Sequence, residues 1–159
     1  MRREILLIIL VTAPLIGCGP TIDLSQGLEV LDVSSGWRHA GVVDGKNKIV
    51  PSLLLTLRNV SEESLVALQL NVLFRRVTEL DTEWGSSFMT ASPPGGLPAG
   101  AETEEIVAIS DLGYTGTEPR AQILENRLFI DTTARVFAKY SSQAWTLIGE
   151  FPVERRLIE

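Results

Sequence analysis

Residues 51–76 show the clearest alternation of apolar and polar positions in the chain. In the second half of this stretch every other side chain is apolar: Val66, Leu68, Leu70, Val72 and Phe74. A period of two is typical of a β-strand with one buried face. Residues 53–57 are apolar on both faces, which predicts a strand that is covered on both sides. The polar residues between the two runs favour a turn. We therefore expect the two strands to form the central hairpin of a small β-sandwich.

Turn signals recur at short spacing on both sides of this stretch. Asp44-Gly45 lies between apolar runs and predicts a hairpin, because glycine accepts a positive φ angle. Residues 28–33 alternate and predict a first strand, which Ser34-Ser35-Gly36 interrupts. Residues 92–100 combine prolines with glycines and predict a loop.

The last third of the chain has the pattern of a long hairpin. Its two strands span residues 128–155, and the chain turns at residues 141–143. Pro152 has no backbone N–H to donate, which predicts that the returning strand lies at a sheet edge or is bulged there.

One segment favours a helix. Thr115 and Glu118 have the spacing of a capping box, which predicts a short helix over residues 118–125. Ile123 and Leu124 would face the core, and Asn126 would end the helix.

The strand count decides the fold class. About seven to nine strands with closely spaced turns are the pattern of an all-β protein, an immunoglobulin-like antiparallel β-sandwich with one short helix. Three stretches resemble the small immunoglobulin-like sandwiches of the FxLYD and late-embryogenesis-abundant type: Leu55–Ser61, Leu68–Arg75 and Leu97–Gly100. The resemblance implies this fold and assigns no catalytic residues.

The N-terminus has the pattern of a secretory signal peptide. Arg2 and Arg3 precede a short apolar run, which is shorter than the roughly 20 residues that a membrane-spanning helix needs. Leu15-Ile16-Gly17-Cys18 resembles the lipobox of bacterial lipoproteins. The resemblance implies that residues 1–17 are removed and that Cys18 carries lipid. The alternative is a buried hydrophobic N-terminal helix with an incidental cysteine.

The remaining chain divides into a tether and one domain. We expect residues 18–27 to form the tether and residues 28–159 the β-sandwich domain. Gly19 follows the cysteine, and by resemblance to enterobacterial lipoproteins this favours the periplasmic face of the outer membrane. Because Cys18 is the only cysteine, no disulfide can form within the chain.

The charge of the chain bears on its partners. The formal net charge is −6, and loss of Arg2, Arg3 and Glu4 makes it one unit more negative. An acidic domain argues against nucleic acid as a partner and against electrostatic docking on anionic lipid. The lipid on Cys18 would then supply the membrane affinity.

The sequence contains no recognisable catalytic or metal-binding pattern, so we expect neither enzymatic activity nor a cofactor nor a metal. His39 is the only histidine, and a Ser-His-acid triad would have to use it. The carboxylates of Glu79, Asp81 and Glu83 are ligands of the type that binds Ca²⁺. Side chains two residues apart on a strand do not converge on one ion without a turn. A solvated acidic surface is the preferred interpretation.

Aromatic residues are the better candidates for binding. Trp37, Trp84 and Tyr114 lie near predicted turns or strand ends and are possible contacts to a partner or ligand. Tyr114 comes first, because the surrounding residues 113–116 look like a shaped loop. The alternative places large aromatics in the core: Trp84 with Phe88, and Trp145 with Leu147.

Taken together, the sequence predicts a membrane-anchored, non-enzymatic envelope lipoprotein that acts as a protein-interaction or assembly module. Its partners would be the membrane, through the N-terminal lipid, and another envelope protein. The alternative is a lipoprotein that carries or binds a small ligand, either a glycan or a lipid. A hydrolase built on His39 has the least support.

Overall fold

The computed structural model describes residues 21–159 as a β-sandwich of two antiparallel-dominated sheets. Nine strands and two short helices follow one another in this part of the chain: α1 Leu24–Gly27, β1 Leu28–Val43, β2 Lys46–Asn59, β3 Leu68–Arg76, β4 Gly85–Thr90, β5 Ile106–Ile109, β6 Tyr114–Gly116, α2 Arg120–Glu125, β7 Thr132–Tyr140, β8 Thr146–Val153 and β9 Leu157–Ile158. The expected fold class, an all-β antiparallel β-sandwich, is confirmed, with two short helices where the sequence predicts one.

The two sheets have simple strand orders. One is β5-β2-β1-β9, with the short β6 also paired to β2, and the other is β4-β3-β7-β8. The inner faces of both sheets supply the core, and leucines and other apolar residues of β2, β3 and β7 are fully buried there. The predicted Asp44-Gly45 hairpin joins β1 to β2, and both residues have positive φ, 50° and 73°.

The prediction that residues 51–76 form a central hairpin is wrong. Both strands exist, but β2 pairs with β1, β5 and β6, whereas β3 pairs with β4 and β7 in the other sheet. Residues 60–67 cross between the sheets instead of reversing the chain within one sheet. The alternation correctly marks the buried face of β3, although it begins at Leu68, since Val66 is 61% exposed.

Two local predictions need correction. Ser34-Ser35-Gly36 does not end the first strand, because β1 continues through Val43 with irregular register between Leu31 and Ser34. The capping box does not form either: Thr115 lies in β6, and α2 begins at Arg120 after Pro119 without a side-chain cap. Burial of Ile123 and Leu124 and the helix end at Asn126 are confirmed.

The last hairpin is confirmed with shorter strands. β7 and β8 pair across the turn at residues 141–143. β8 is an edge strand of its sheet, as Pro152 predicts, and the irregular register lies opposite Val136 and Phe137.

The predicted signal peptide and Cys18 lie outside the described residues, but the expected tether is partly described. Its second half is folded: Asp23 caps α1 by accepting a hydrogen bond from the Ser25 N–H at 3.0 Å, and Leu24 is 1% exposed. The chain therefore joins the sandwich several residues earlier than position 28. Within residues 21–159, no helix has the length and apolar character needed to cross a bilayer.

Candidate functional site

The three aromatic residues that the sequence singles out meet in one cluster at an end of the sandwich. Trp37 of β1, Trp84 before β4, Tyr114 of β6 and Phe129 before β7 lie with ring centroids 4.7–6.2 Å apart. Such tilted and edge-on contacts are the favourable arrangements of aromatic pairs. The cluster covers the end of the core that lies between the two sheets.

Burial decides what these residues can contact. Trp37 is 0% exposed, so the prediction that it contacts a partner at the surface is wrong. Its ring is enclosed because Trp84, Tyr114 and Phe129 cover it. Trp84 and Tyr114 are half-buried, and their contact roles stay predictions.

Tyr114 is held in place by contacts of its ring and of its hydroxyl. Its ring lies among the other aromatic rings, and its hydroxyl accepts a hydrogen bond from the Ile130 N–H at 3.2 Å. Residues 114–116 are a short strand on β2 and not the shaped loop that the sequence predicts. Tyr114 therefore has a structural role, because it connects the segment before β7 to the aromatic cluster.

A small hollow lies beside Tyr114. It has a volume of about 190 Å³, and its lining includes Glu118, Asn126 and Phe129. A hydrogen bond from the backbone of Glu118 holds the pKa of this carboxyl below its ordinary value, and the Asn126 side-chain amide adds a second. Pockets for drug-sized ligands usually measure about 300–1,000 Å³, so this hollow suits at most a very small molecule.

The candidate catalytic and acidic residues are not gathered into a site. His39 is exposed near the end of β1, and its side chain makes no hydrogen bond among the described residues. Glu79 forms an ion pair with Arg76 at 2.8 Å, and Glu102 forms one with Arg58. The hydrogen bond and charge of Glu102 raise the pKa of Arg58. No group of three or more His, Cys, Asp or Glu side chains with metal-binding geometry occurs in residues 21–159.

A different set of apolar side chains lies on the outer face of the four-stranded sheet. The strand register places Phe88 opposite Asn71, Asn71 opposite Phe137, and Phe137 opposite Leu147. The Trp145 ring lies edge-on to Phe88 with their centroids 6.1 Å apart. We call Phe88, Phe137, Trp145 and Leu147 the sheet-face strip.

Three of the four side chains of the strip are exposed to solvent, and Phe137 is half-buried. Phe88 is 61% exposed, and Trp145 and Leu147 are each 39% exposed. Single exposed apolar residues are ordinary, whereas several large ones on the same sheet face, here divided by the polar Asn71 of β3, mark an interaction surface. The alternative that pairs Phe88 with Trp84 and Leu147 with Trp145 in the core is therefore wrong for Phe88, Trp145 and Leu147, although Trp84 does pack against the core.

Cations flank the strip. The Arg135 guanidinium lies 5.3 Å from the Phe137 ring centroid, and Lys139 Nζ lies 5.8 Å from the Trp145 ring. Arg135 also pairs with Glu150, with Nε and Oε2 3.1 Å apart. The surface thus combines aromatic rings with charged groups of both signs, as protein interfaces often do.

The sequence does not single out Phe88, Phe137 and Leu147 as possible contacts. A signal was present for Phe137: it stands between Arg135 and Lys139 on the polar face of a strand whose other face, Ala134, Val136 and Ala138, is buried. An aromatic residue on the polar face of an alternating strand lies on the side away from the core, which makes it a candidate for contact with a partner.

Comparisons with known proteins assign no family to this chain. No protein-family profile matches the chain, and no curated protein matches it. Among solved structures, the X-ray structure of Northeast Structural Genomics Consortium target SoR45 is similar, at 12% identity and a TM-score of 0.43. The match covers 82% of this chain and 89% of that one.

Proposed function

We propose that the protein is an envelope lipoprotein, anchored by lipid on Cys18, whose sandwich domain binds another envelope protein through the sheet-face strip. The anchor rests on the lipobox at residues 15–18. The observation that carries the binding role is Phe88, a large aromatic side chain that is 61% exposed on the same sheet face as Phe137 and Leu147, with Asn71 between it and Phe137.

The mechanism is tethering without chemistry. Lipid on Cys18 confines the domain to a membrane surface, which raises its effective concentration relative to a partner on the same surface. The β-sheet fixes the backbone positions of Phe88, Phe137 and Leu147, and Trp145 directly precedes β8, so little backbone entropy is lost when a partner covers the strip. Aromatic anchors of this kind carry most of the binding free energy in protein interfaces.

The shape of the surface favours a protein over a small ligand. The strip runs across a sheet face, and a sheet face offers no enclosed cavity. The hollow beside Tyr114 is about 190 Å³, below the usual size of ligand pockets, whereas two larger hollows, of about 450 Å³ beside α2 and about 460 Å³ beside residues 90–94 and 102–106, are within that range. Among the described residues, charged side chains line both larger hollows and no aromatic side chain does, so glycan or lipid carriage, the alternative from the sequence, has less support than the strip.

Replacing Phe88 with aspartate is expected to weaken partner binding by about 30-fold, which corresponds to about 2 kcal/mol for an aromatic hot spot. Because Phe88 points to solvent, the melting temperature should stay close to that of the unmodified protein. The measurement is the amount of the partner that co-purifies with the lipoprotein from detergent-solubilised envelopes.

Val42→Asp is the matched control, because Val42 is 63% exposed at the tip of the β1–β2 hairpin, away from the strip. It should leave co-purification unchanged. Equal losses for the two variants, or no loss for Phe88→Asp, would contradict the assignment of the strip.

A further inference from the structure

Specific contacts hold the chain against the end of the sandwich at which it enters the domain. Asp23 caps α1, and Leu24, Gly27 and Leu28 are buried against the domain. One residue earlier, the Gln143 side-chain amide, with its oxygen and nitrogen oriented to suit, bonds both the N–H and the C=O of Ile22 at 3.0 and 2.9 Å. The entering chain is thus fixed beside the β7–β8 turn.

Little chain remains between this fixed point and the proposed lipid. Four peptide links separate Cys18 from Ile22, and even when fully extended they span at most about 14 Å. This is much less than the length of the sandwich, because a nine-residue strand such as β3 alone spans about 30 Å. A domain held this closely cannot turn its far end toward the membrane.

The surface beside the entry point is formed by two neighbouring segments. Residues 60–67 cross between the sheets, and residues 141–145 connect β7 to β8. The Ser141 N–H donates to the Ala67 C=O at 3.1 Å, which joins the two segments. We call residues 60–67 and 141–145 together the entry end.

The entry end exposes apolar side chains. Val66 is 61% exposed, Val60 is 49% exposed, and Trp145 stands at the border between this end and the sheet-face strip. Tryptophan is favoured at membrane–water interfaces, where its ring lies at the level of the lipid headgroups. Glu62 and Glu63 are also exposed there, so contact with lipid would not depend on anionic headgroups.

We propose that the entry end rests on the lipid bilayer, so that the sandwich stands on its end and the sheet-face strip faces sideways. This inference rests on the proposed lipid anchor at Cys18. The β1–β2 hairpin tip then projects away from the membrane, because β1 has sixteen residues and spans up to about 50 Å from its start at the entry end. A partner would reach the strip from the side, along the same membrane.

Two labelled variants test this orientation. Ser142→Cys places a fluorophore at the entry end, and Lys46→Cys places one beside the hairpin tip; both residues are exposed. Lipid on Cys18 consumes its thiol, so each variant carries a single reactive thiol. The labelled lipoproteins are reconstituted into phosphatidylcholine vesicles whose acyl chains carry bromine, a short-range quencher.

The label at Ser142→Cys is expected to lose most of its fluorescence, and the label at Lys46→Cys almost none. Vesicles containing phosphatidylglycerol should give the same result. Equal quenching at the two positions, with mass spectrometry showing lipid on Cys18, would overturn the orientation and leave the anchor standing. Absence of lipid on Cys18 would overturn the anchor and the orientation together.

Discussion

Replacing Cys18 with serine is expected to abolish lipid attachment completely. Serine has no thiol to form a thioether to diacylglycerol, and in the proposed lipoprotein Cys18 also marks the cleavage point after Gly17. The variant should therefore retain residues 1–17 and incorporate no radiolabelled fatty acid. Mass spectrometry of the N-terminal peptide gives the answer directly.

A second form of the protein separates the lipid from the uncleaved signal. Residues 19–159 joined to a standard cleavable secretory signal would carry neither Cys18 nor residues 1–17. We expect the purified soluble form not to sediment with protein-free lipid vesicles, because an acidic domain has no electrostatic affinity for anionic lipid. Fatty acid on the serine variant, or binding of the soluble form to protein-free vesicles, would contradict the anchor.

Replacing Asn59 with aspartate is expected to lower the free energy of unfolding by about 3 kcal/mol, because a buried hydrogen-bond network loses its donors. Asn59 is 0% exposed at the end of β2. Its Nδ2 donates to the C=O groups of Glu63 and Leu97 at 2.7 and 2.9 Å, and its Oδ1 accepts from the N–H and the hydroxyl of Ser61 at 3.0 and 2.6 Å. A carboxylate would face two carbonyl oxygens and would be buried without a cation.

Urea unfolding of the soluble form measures this effect. Asn126→Asp is the matched control: it also loses an amide donor, here the hydrogen bond to Glu118, but at an exposed site where solvent replaces the bond and screens the charge, so it should cost about 1 kcal/mol or less. A loss below about 1 kcal/mol for Asn59→Asp would show that the crossover between the sheets does not depend on this side chain.

The sequence predicts which face of a strand is buried better than it predicts which strands pair with each other. Alternation over Leu68–Phe74 correctly identifies the buried side of β3, because side-chain direction follows from local backbone geometry. It does not identify the strand that β3 pairs with. The polar segment between β2 and β3 can serve a hairpin or a crossover, and the choice depends on distant groups such as the Leu97 carbonyl that binds Asn59.

The burial or exposure of the candidate contact residues is likewise not predictable from the local sequence. Trp37 and Phe88 both lie within or beside strands in polar surroundings, yet one is fully buried and the other is mostly exposed. Trp37 is buried because three aromatic residues from separate parts of the chain converge on it. Phe88 is exposed because the register of β4 on β3 turns it to the outer face. Neither register nor convergence is encoded within a few neighbouring residues.

Site-specific crosslinking in the native envelope tests the central claim most directly. A photoreactive amino acid is placed at Phe88 on the strip, or at Val107, which is 37% exposed on β5 of the other sheet. The account predicts one discrete crosslinked envelope protein from position 88, none from position 107, and loss of the product when lipid attachment at Cys18 is prevented. No product from position 88, or the same product from both positions, would contradict it.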